Sequence, residues 1–397
     1  MSYKRARGKM RSRVVSAALF CVVLAALSHP RSLTPPLESS PVWREAAPGY
    51  QFSFPRDHRA HMDSRIEWWY YTGNLETKSG RRFGYQLTFF RVGVVREPAN
   101  SSRWALRDLH MAHFAISDIE SQAFHSFERI NRAGIGWAGA DTLDRNTPIA
   151  EHSAKSTVRV WNEDWDARIE DGSHTLRAAE GGFSIAMTLR PSKPEVIHGE
   201  KGISQKGPSA ENASHYYSLT RLESSGLIEV EGESFEVSGL SWMDHEFGTS
   251  FLYDQQAGWD WLSIHLQDGR DLMLLKNRRR DGSIDSSSSG TLIDAGGNAT
   301  HLNSEDFSLE PGEHWRSSKS GAEYPTAWKI DLPGYGLLLT VTAEIEDQEL
   351  HTPESTAVTY WEGPVSIRGA DGNRPVRGVG YLEMTGYAKA NINEVLR

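Results

Sequence analysis

Within the segment 82–94 every second side chain from 83 to 89 is large and apolar, with Phe83, Tyr85, Leu87 and Phe89 on one face and Gly84, Gln86 and Thr88 on the other. A side-chain period of two sorts residues this way only in an extended strand. Similar short segments follow one another at 67–75, 109–118, 157–161, 165–170, 175–180, 183–190, 216–223, 227–230 and 233–243. Turn sequences such as Lys78-Ser79-Gly80, Asp171-Gly172 and Gly181-Gly182 separate many of them, which is the pattern of an antiparallel meander. A second set covers 259–266, 271–277, 291–293, 326–332, 337–345, 356–360, 365–368 and 376–387. Helical periodicity is nearly absent, so the chain is expected to be all-β. Eight strands close a barrel wide enough for one small ligand, but the same alternation also suits a sandwich.

Between these segments, 120–154 reads as irregular, and 191–214, rich in Pro, Gly, Lys and Ser, reads as a long loop able to act as a mobile flap. The triplet Arg278-Arg279-Arg280 reads as a solvated turn. A domain boundary is expected near 249–256.

The amino terminus points to export. Lys4, Arg5, Arg7, Lys9, Arg11 and Arg13 precede an uncharged apolar run of 14 residues from Val14 to Leu27, the layout of a secretory signal cleaved after Ser28. The run is short for a bilayer span of about 20 residues, although an uncleaved anchor is the competing reading. Lipidation at Cys21 would need small residues before it, where Leu19 and Phe20 stand. Residues 29–50 then form an exposed leader, and the expected destination is periplasmic or secreted, with the membrane export machinery as a partner.

Cleavage removes six of the 43 basic residues and none of the 52 acidic ones, leaving a body of formal charge −15. Nucleic acid is excluded as a partner, because its recognition needs clustered Lys and Arg. Cys21, the single cysteine, leaves with the signal, so neither disulfides nor thiolate chemistry is available. The remaining length exceeds the roughly 250 to 300 residues at which one core stops growing. Two domains are therefore expected, at 51–248 and 249–397. With 13 Trp, 13 Tyr and 14 Phe, the body can line a cavity for an apolar ligand as well as fill its cores.

Three clusters are candidates for chemistry. Asp57, His58, His61 and Asp63 precede Glu67-Trp68-Trp69-Tyr70-Tyr71. They have metal-binding side chains but no spacing that converges them, so no metal is expected. In a strand, Trp68 and Tyr70 share one face and Trp69 and Tyr71 the other. His110 and His113, at odd separation, fall on opposite faces, His113 toward a cavity and His110 toward the surface. In Ser241-Trp242-Met243-Asp244-His245-Glu246, alternation places Trp242 beside Asp244. A carboxyl desolvated by aromatic rings keeps its proton toward neutrality, as a general acid must. The plainer alternative is that Asp244 and Glu246 cap a turn. No serine elbow, phosphate loop or dinucleotide fingerprint is present in the body.

Phe54-Pro55-Arg56-Asp57-His58, the run Glu67-Trp68-Trp69-Tyr70-Tyr71-Thr72-Gly73-Asn74-Leu75, and Ser241 to Glu246 together resemble the AttH-like family. This group of secreted hydrolases is related to the carotenoid 1,2-hydratase (hydroxyneurosporene synthase) CrtC. The resemblance implies two tandem lipocalin-like antiparallel β-barrels of calycin type. It also implies a pairing of His215 with Asp244, in which Tyr217 and Trp242 resemble the hydratase aromatics with their identities exchanged. On that pattern Asp244 protonates a carbon–carbon double bond, Trp242 and Tyr217 face the cation, and His215 handles the water. Glu67, Trp68, Tyr70, Tyr85, His113, His245 and Glu246 are the expected ligand-lining residues, for an isoprenoid or lipid-like molecule and without a cofactor. A non-enzymatic lipid or lipoprotein carrier and an ester hydrolase remain alternative readings.

Overall fold

A computed structural model describes residues 43–388, apart from 101, 103, 135, 143–156, 210, 250 and 251. Residues 1–28, read from sequence as a signal, and residues 29–42, read as part of a leader, lie outside the described residues. The described residues form antiparallel strands with two 3-10 turns and no α-helix.

Four strands run in sequence, β1 (Ile66–Glu76), β2 (Arg82–Gly93), β3 (Asp108–Asp118) and β4 (Ala123–Arg132). Each pairs with the next. On its other edge β1 pairs with Glu233–Gly248, followed by Ala213–Val230, Phe183–Pro191, Ser173–Glu180, Trp165–Glu170, Val158–Asn162 and Ala138–Ala140. The first long strand is thus bonded to the last, and the twisted sheet curls into a nearly closed barrel. Side chains tie the open seam. Asn131 Nδ2 donates to Asn162 Oδ1 (2.7 Å), Asn162 Nδ2 donates to the His110 carbonyl (3.1 Å), and Arg129 lies 4.1 Å over the Trp165 ring. Trp69, Tyr71, Leu87, Phe89 and Phe114 fill the interior.

The second sheet repeats the device. Gln256–Leu266 pairs with Asp271–Arg279 on one side and with the last strand, Arg374–Met384, on the other. Val358–Asp371, Leu337–Ala343 and Ala327–Leu332 continue it around a core of Leu262, Ile264, Leu339, Trp328 and Trp361.

The two barrels pack face to face, which explains why β1 and β2 are buried on both sides rather than alternately. Between them lies a third cluster made by Tyr70, Tyr216 and Trp242 of the first barrel and Trp261, Leu275 and Tyr381 of the second. Gly84 belongs to this contact, since a Cβ there would lie 2.5 Å from the Pro364 ring. Gly84→Ala is expected to destabilise the protein by roughly 1–3 kcal/mol, the usual cost of overpacking. Urea unfolding measures it, and an unchanged midpoint would mean that the interface yields freely.

Several expectations change. The stretch 120–154 holds β4 and Ala138–Ala140 rather than irregular chain alone. The 191–214 segment is no mobile flap, because Val196–Ile197 and Ser204–Gln205 pair with Ala213–Val230. Its polar residues are buried between the barrels, where Lys193 Nζ meets Asp271 (2.7 Å) and His198 meets Thr291 (2.8 Å). Composition marks such a segment as a loop; its buried lysines are nevertheless matched by carboxylates, Lys193 by Asp271 of the second barrel and Lys206 by Glu246 of the first. Arg278 is no solvated turn but stacks on Tyr387 (3.8 Å) and pairs with Asp260 (3.1 Å). The leader's last residues pack down as well, with Ala46 buried and Tyr50 stacked on His215 at 4.4 Å. His110, expected at the surface, is buried, because the barrel's seam closes over it.

Candidate functional site

Register aligns six residues in one row across the first sheet. Ser218 opposes Asp244, Asp244 opposes Tyr70, Tyr70 opposes Thr88, Thr88 opposes His113 and His113 opposes Glu128. Directly opposed residues send their side chains to the same face, here the outer face that meets the second barrel. At about 4.8 Å per strand, Asp244 and His113 stand ~14 Å apart along the row. Above the row is a cavity of about 1120 Å³, counted with its open mouth. Trp68, Tyr70, Phe90 and Tyr216 line it from the first barrel, and Trp259, Trp261, Tyr360 and Glu383 from the second.

Asp244 lies at one end of the row, fully desolvated. Its Oδ1 accepts from the Trp242 indole N–H (2.6 Å) and from the Ser218 hydroxyl. Burial raises its carboxyl to about 7, the nearby Glu246 adds to the rise, and the hydrogen bonds oppose it. Glu383 faces it from the second barrel. Burial, with Asp244 and Glu246 nearby, pushes that carboxyl up against a 3.1 Å hydrogen bond from Trp259. Glu246 is held differently, by Lys206 Nζ at 2.9 Å and by the Ser214 hydroxyl. Glu362 accepts from the Tyr70 hydroxyl (2.8 Å), and burial together with Glu383 pushes its carboxyl well above the usual carboxylate range. One apolar chamber thus holds carboxyl groups that carry protons near neutrality beside one that is ion-paired, an arrangement suited to delivering a proton.

Of the residues expected from sequence, Asp244, Trp242, Trp68, Tyr70, His113 and Glu246 gather on this face. His215, Tyr217, Glu67, His245 and Tyr85 do not. Parity separates them, since His215 and Tyr217 oppose Phe247 and His245 and point into the first barrel, whereas Asp244 opposes Ser218. His215 therefore cannot serve Asp244; it stacks on Tyr50, and its Nδ1 lies 3.2 Å from the Gly202 carbonyl oxygen. The Tyr217 hydroxyl sits between His58 Nδ1 (2.7 Å) and His245 Nδ1 (3.0 Å). Tyr85 is a core residue whose hydroxyl bonds Ser241 (2.7 Å). Sequence reasoning missed Tyr216, Ser218 and Lys206, and every residue of the second barrel. Tyr216 was within reach, because it alternates in step with Ser218.

Glu67 anchors a separate network on the inward face. His61 Nδ1 and His245 Nε2 each lie 2.8 Å from its Oε1, and Arg91 Nε donates to its Oε2 at 3.0 Å. Burial alone would raise this carboxyl, but Arg91 and the two imidazoles outweigh it and hold it below the usual range. The expectation that nothing converges these groups is overturned: ligand atoms of His61, Glu67 and His245 lie within 4.8 Å of one another. Two imidazoles and a carboxylate suit zinc chemically. Their spacing is that of hydrogen bonds, and Arg91 supplies the balancing charge.

Comparison with known proteins places this architecture. The AttH-like family model matches residues 45–387. A crystal structure described as AttH, from Nitrosomonas europaea, is 36% identical and superposes with a TM-score of 0.75 over 87% of this chain and 100% of that one. Kievitone hydratase from Nectria haematococca shares the fold at 15% identity, with a TM-score of 0.63 over 85% of this chain and 93% of that one. The dehydratase asqC of Emericella nidulans is 22% identical over 216 residues, 53% of this chain and 60% of the dehydratase, less than two thirds of that relative's length.

Proposed function

The chain belongs to the AttH-like family, and from that premise we propose that it adds water to, or removes it from, an apolar ligand held between its barrels, with Asp244 as the acid. The observation that carries this reading is a buried carboxyl titrating at about 7 inside an aromatic cavity. The hydratase and dehydratase among its relatives support the reaction class.

The protonated Asp244 delivers its proton to a carbon–carbon double bond, forming a C–H bond and leaving a carbocation on the adjacent carbon. Trp68, Tyr70, Trp259 and Trp261 surround the space, and their negative ring faces stabilise such a cation by about 2 kcal/mol each when desolvated. Water adds to the cation, and the proton it sheds restores the acid. Run backwards, the same steps dehydrate an alcohol. An isoprenoid-like alkene fits the chamber's apolar walls, and the basic, then apolar, signal-like segment at 1–28 supports action outside the cytoplasm.

The test incubates the protein with linear isoprenoid alkenes in water enriched in a heavy oxygen isotope. Incorporation of the label into product supports hydration. Absence of label, with native ligand extracted chemically unchanged, favours a carrier. The rate is expected to fall as pH rises through about 7, because the acid works only while protonated. A flat profile from about pH 5 to pH 9 would remove Asp244 from this role.

A further inference from the structure

At the far end of the row from Asp244, four side chains drawn from both barrels form one hydrogen-bonded file. Tyr360 lines the cavity and places its hydroxyl 2.7 Å from His113 Nδ1. His113 Nε2 lies 2.8 Å from Ser355 Oγ, and Ser355 donates its hydroxyl proton to Glu128. Backbone N–H groups of Ser355 (2.8 Å) and Glu354 (3.2 Å) fix the Glu128 carboxylate. Tyr360 and His113 are buried, while Ser355 and Glu128 are half-buried. The file therefore leads from the cavity wall toward solvent at the edge strand β4.

The chemistry of its members sets its direction. A serine hydroxyl has one proton, and with that proton given to Glu128 it meets His113 only as an acceptor. Nε2 therefore carries the ring proton. Burial pushes the imidazole down to about 3, so the ring is neutral and Nδ1 accepts from the tyrosine O–H. The Tyr360 oxygen keeps its lone pairs for the Glu362 carboxyl beside it and for the cavity.

We propose that Tyr360, backed by His113, Ser355 and Glu128, is a proton-accepting site for a hydroxyl, phenol or enol oxygen on an otherwise apolar ligand. In the transfer the ligand O–H bond breaks and its proton bonds to Tyr360, whose own proton passes to His113 Nδ1. The Nε2 proton passes to Ser355 Oγ, and the serine proton to Glu128. The ligand oxygen becomes the anion, Glu128 becomes neutral, and no electrons are exchanged. A weakly acidic oxygen is bound through the same path as a hydrogen-bond donor, and a strongly acidic one loses its proton. The inference rests on the cavity being the ligand site, but not on Asp244 acting as an acid. It describes a ligand with its oxygen near Tyr360 and its reacting carbon toward Asp244, which stands three strands from His113 along the row.

Two fluorescent probes of one shape test this without turnover. 2-Naphthol has the hydroxyl and becomes a much stronger acid when excited, whereas 2-methoxynaphthalene has no proton to give. The protein is expected to bind 2-naphthol about tenfold more tightly, one hydrogen bond's worth, and the bound probe should emit from its naphtholate form. Glu128→Gln should keep the preference but lose the naphtholate band, and Tyr360→Phe should lose both. Should Tyr360→Phe fail to fold, Glu128→Gln decides alone. A naphtholate band that survives either substitution overturns the assignment, as does equal binding of the two probes. Loss of the band in Asp244→Asn would place the acceptor at the opposite end and overturn it equally.

Discussion

Asparagine at position 244 is expected to abolish turnover and, at neutral or alkaline pH, to leave a more stable protein than the parent. Asparagine preserves the acceptor oxygen used by Trp242 and Ser218 but has no proton to deliver. The stability effect follows from linkage. In the folded protein burial pushes Asp244 up to about 7, against 3.8 for a free aspartate. Below the unfolded value both states are protonated, and the buried acid carries no charge penalty. As pH rises from there to the folded value, only the unfolded state releases its proton freely, and stability is lost. Above about 7 the loss reaches roughly 4 kcal/mol. Asp244→Asn should recover much of it near pH 8 and almost none near pH 4. Equilibrium unfolding at the two pH values checks the stability claim, and product formation checks the catalytic one. Retained turnover would eliminate the carboxyl as the proton donor.

Replacing Arg91 with methionine should be the most damaging single change in the first barrel. Its guanidinium is wholly buried, 3.0 Å from both Glu67 and Asp108, and it also donates to the carbonyls of His61 and Ser64 at 2.8 Å. Methionine fits the space but takes the shared buried counter-charge from two carboxylates, leaving Glu67 to its imidazoles and Asp108 to Arg107 at 3.7 Å, a loss of about 3–5 kcal/mol. Glu67→Gln in the same background should recover part of it, because one of the stranded charges is then gone. The Glu67 carboxyl is held low by Arg91 and the imidazoles against the effect of its burial. Its stabilisation is therefore present above the unfolded value of 4.5 and lost as pH falls below it. Urea midpoints across that range give the comparison; a methionine variant as stable as the parent would show that the ion pair is dispensable.

The strand pattern was legible because alternation is local. Trp68 and Tyr70 share a face, Trp242 and Asp244 share a face, and both pairs are placed accordingly. Which face does what was not legible. In a half-buried strand the apolar face identifies the core, but β1 and residues 241–248 of its neighbour are covered on both sides. Inward-facing Glu67 and His245 therefore look in sequence like outward-facing Asp244 and Glu246. His215 illustrates the consequence, since pairing it with Asp244 set aside the parity that puts it on the opposite face. Tyr360 and Glu383 gave no signal at all, because a tyrosine or glutamate in an alternating strand reads as ordinary packing or ordinary surface.

By itself the sequence determined the all-β class, the strand-by-strand alternation and the family, since each is written in short runs of neighbouring residues. Only the tertiary structure decided that the chamber lies between the barrels, and that Asp244 of the first and Tyr360 of the second both line it. It also decided which buried charges are paired. Those outcomes depend on strand register and on the docking of two sheets, which join residues from different strands and leave no periodic trace along the chain.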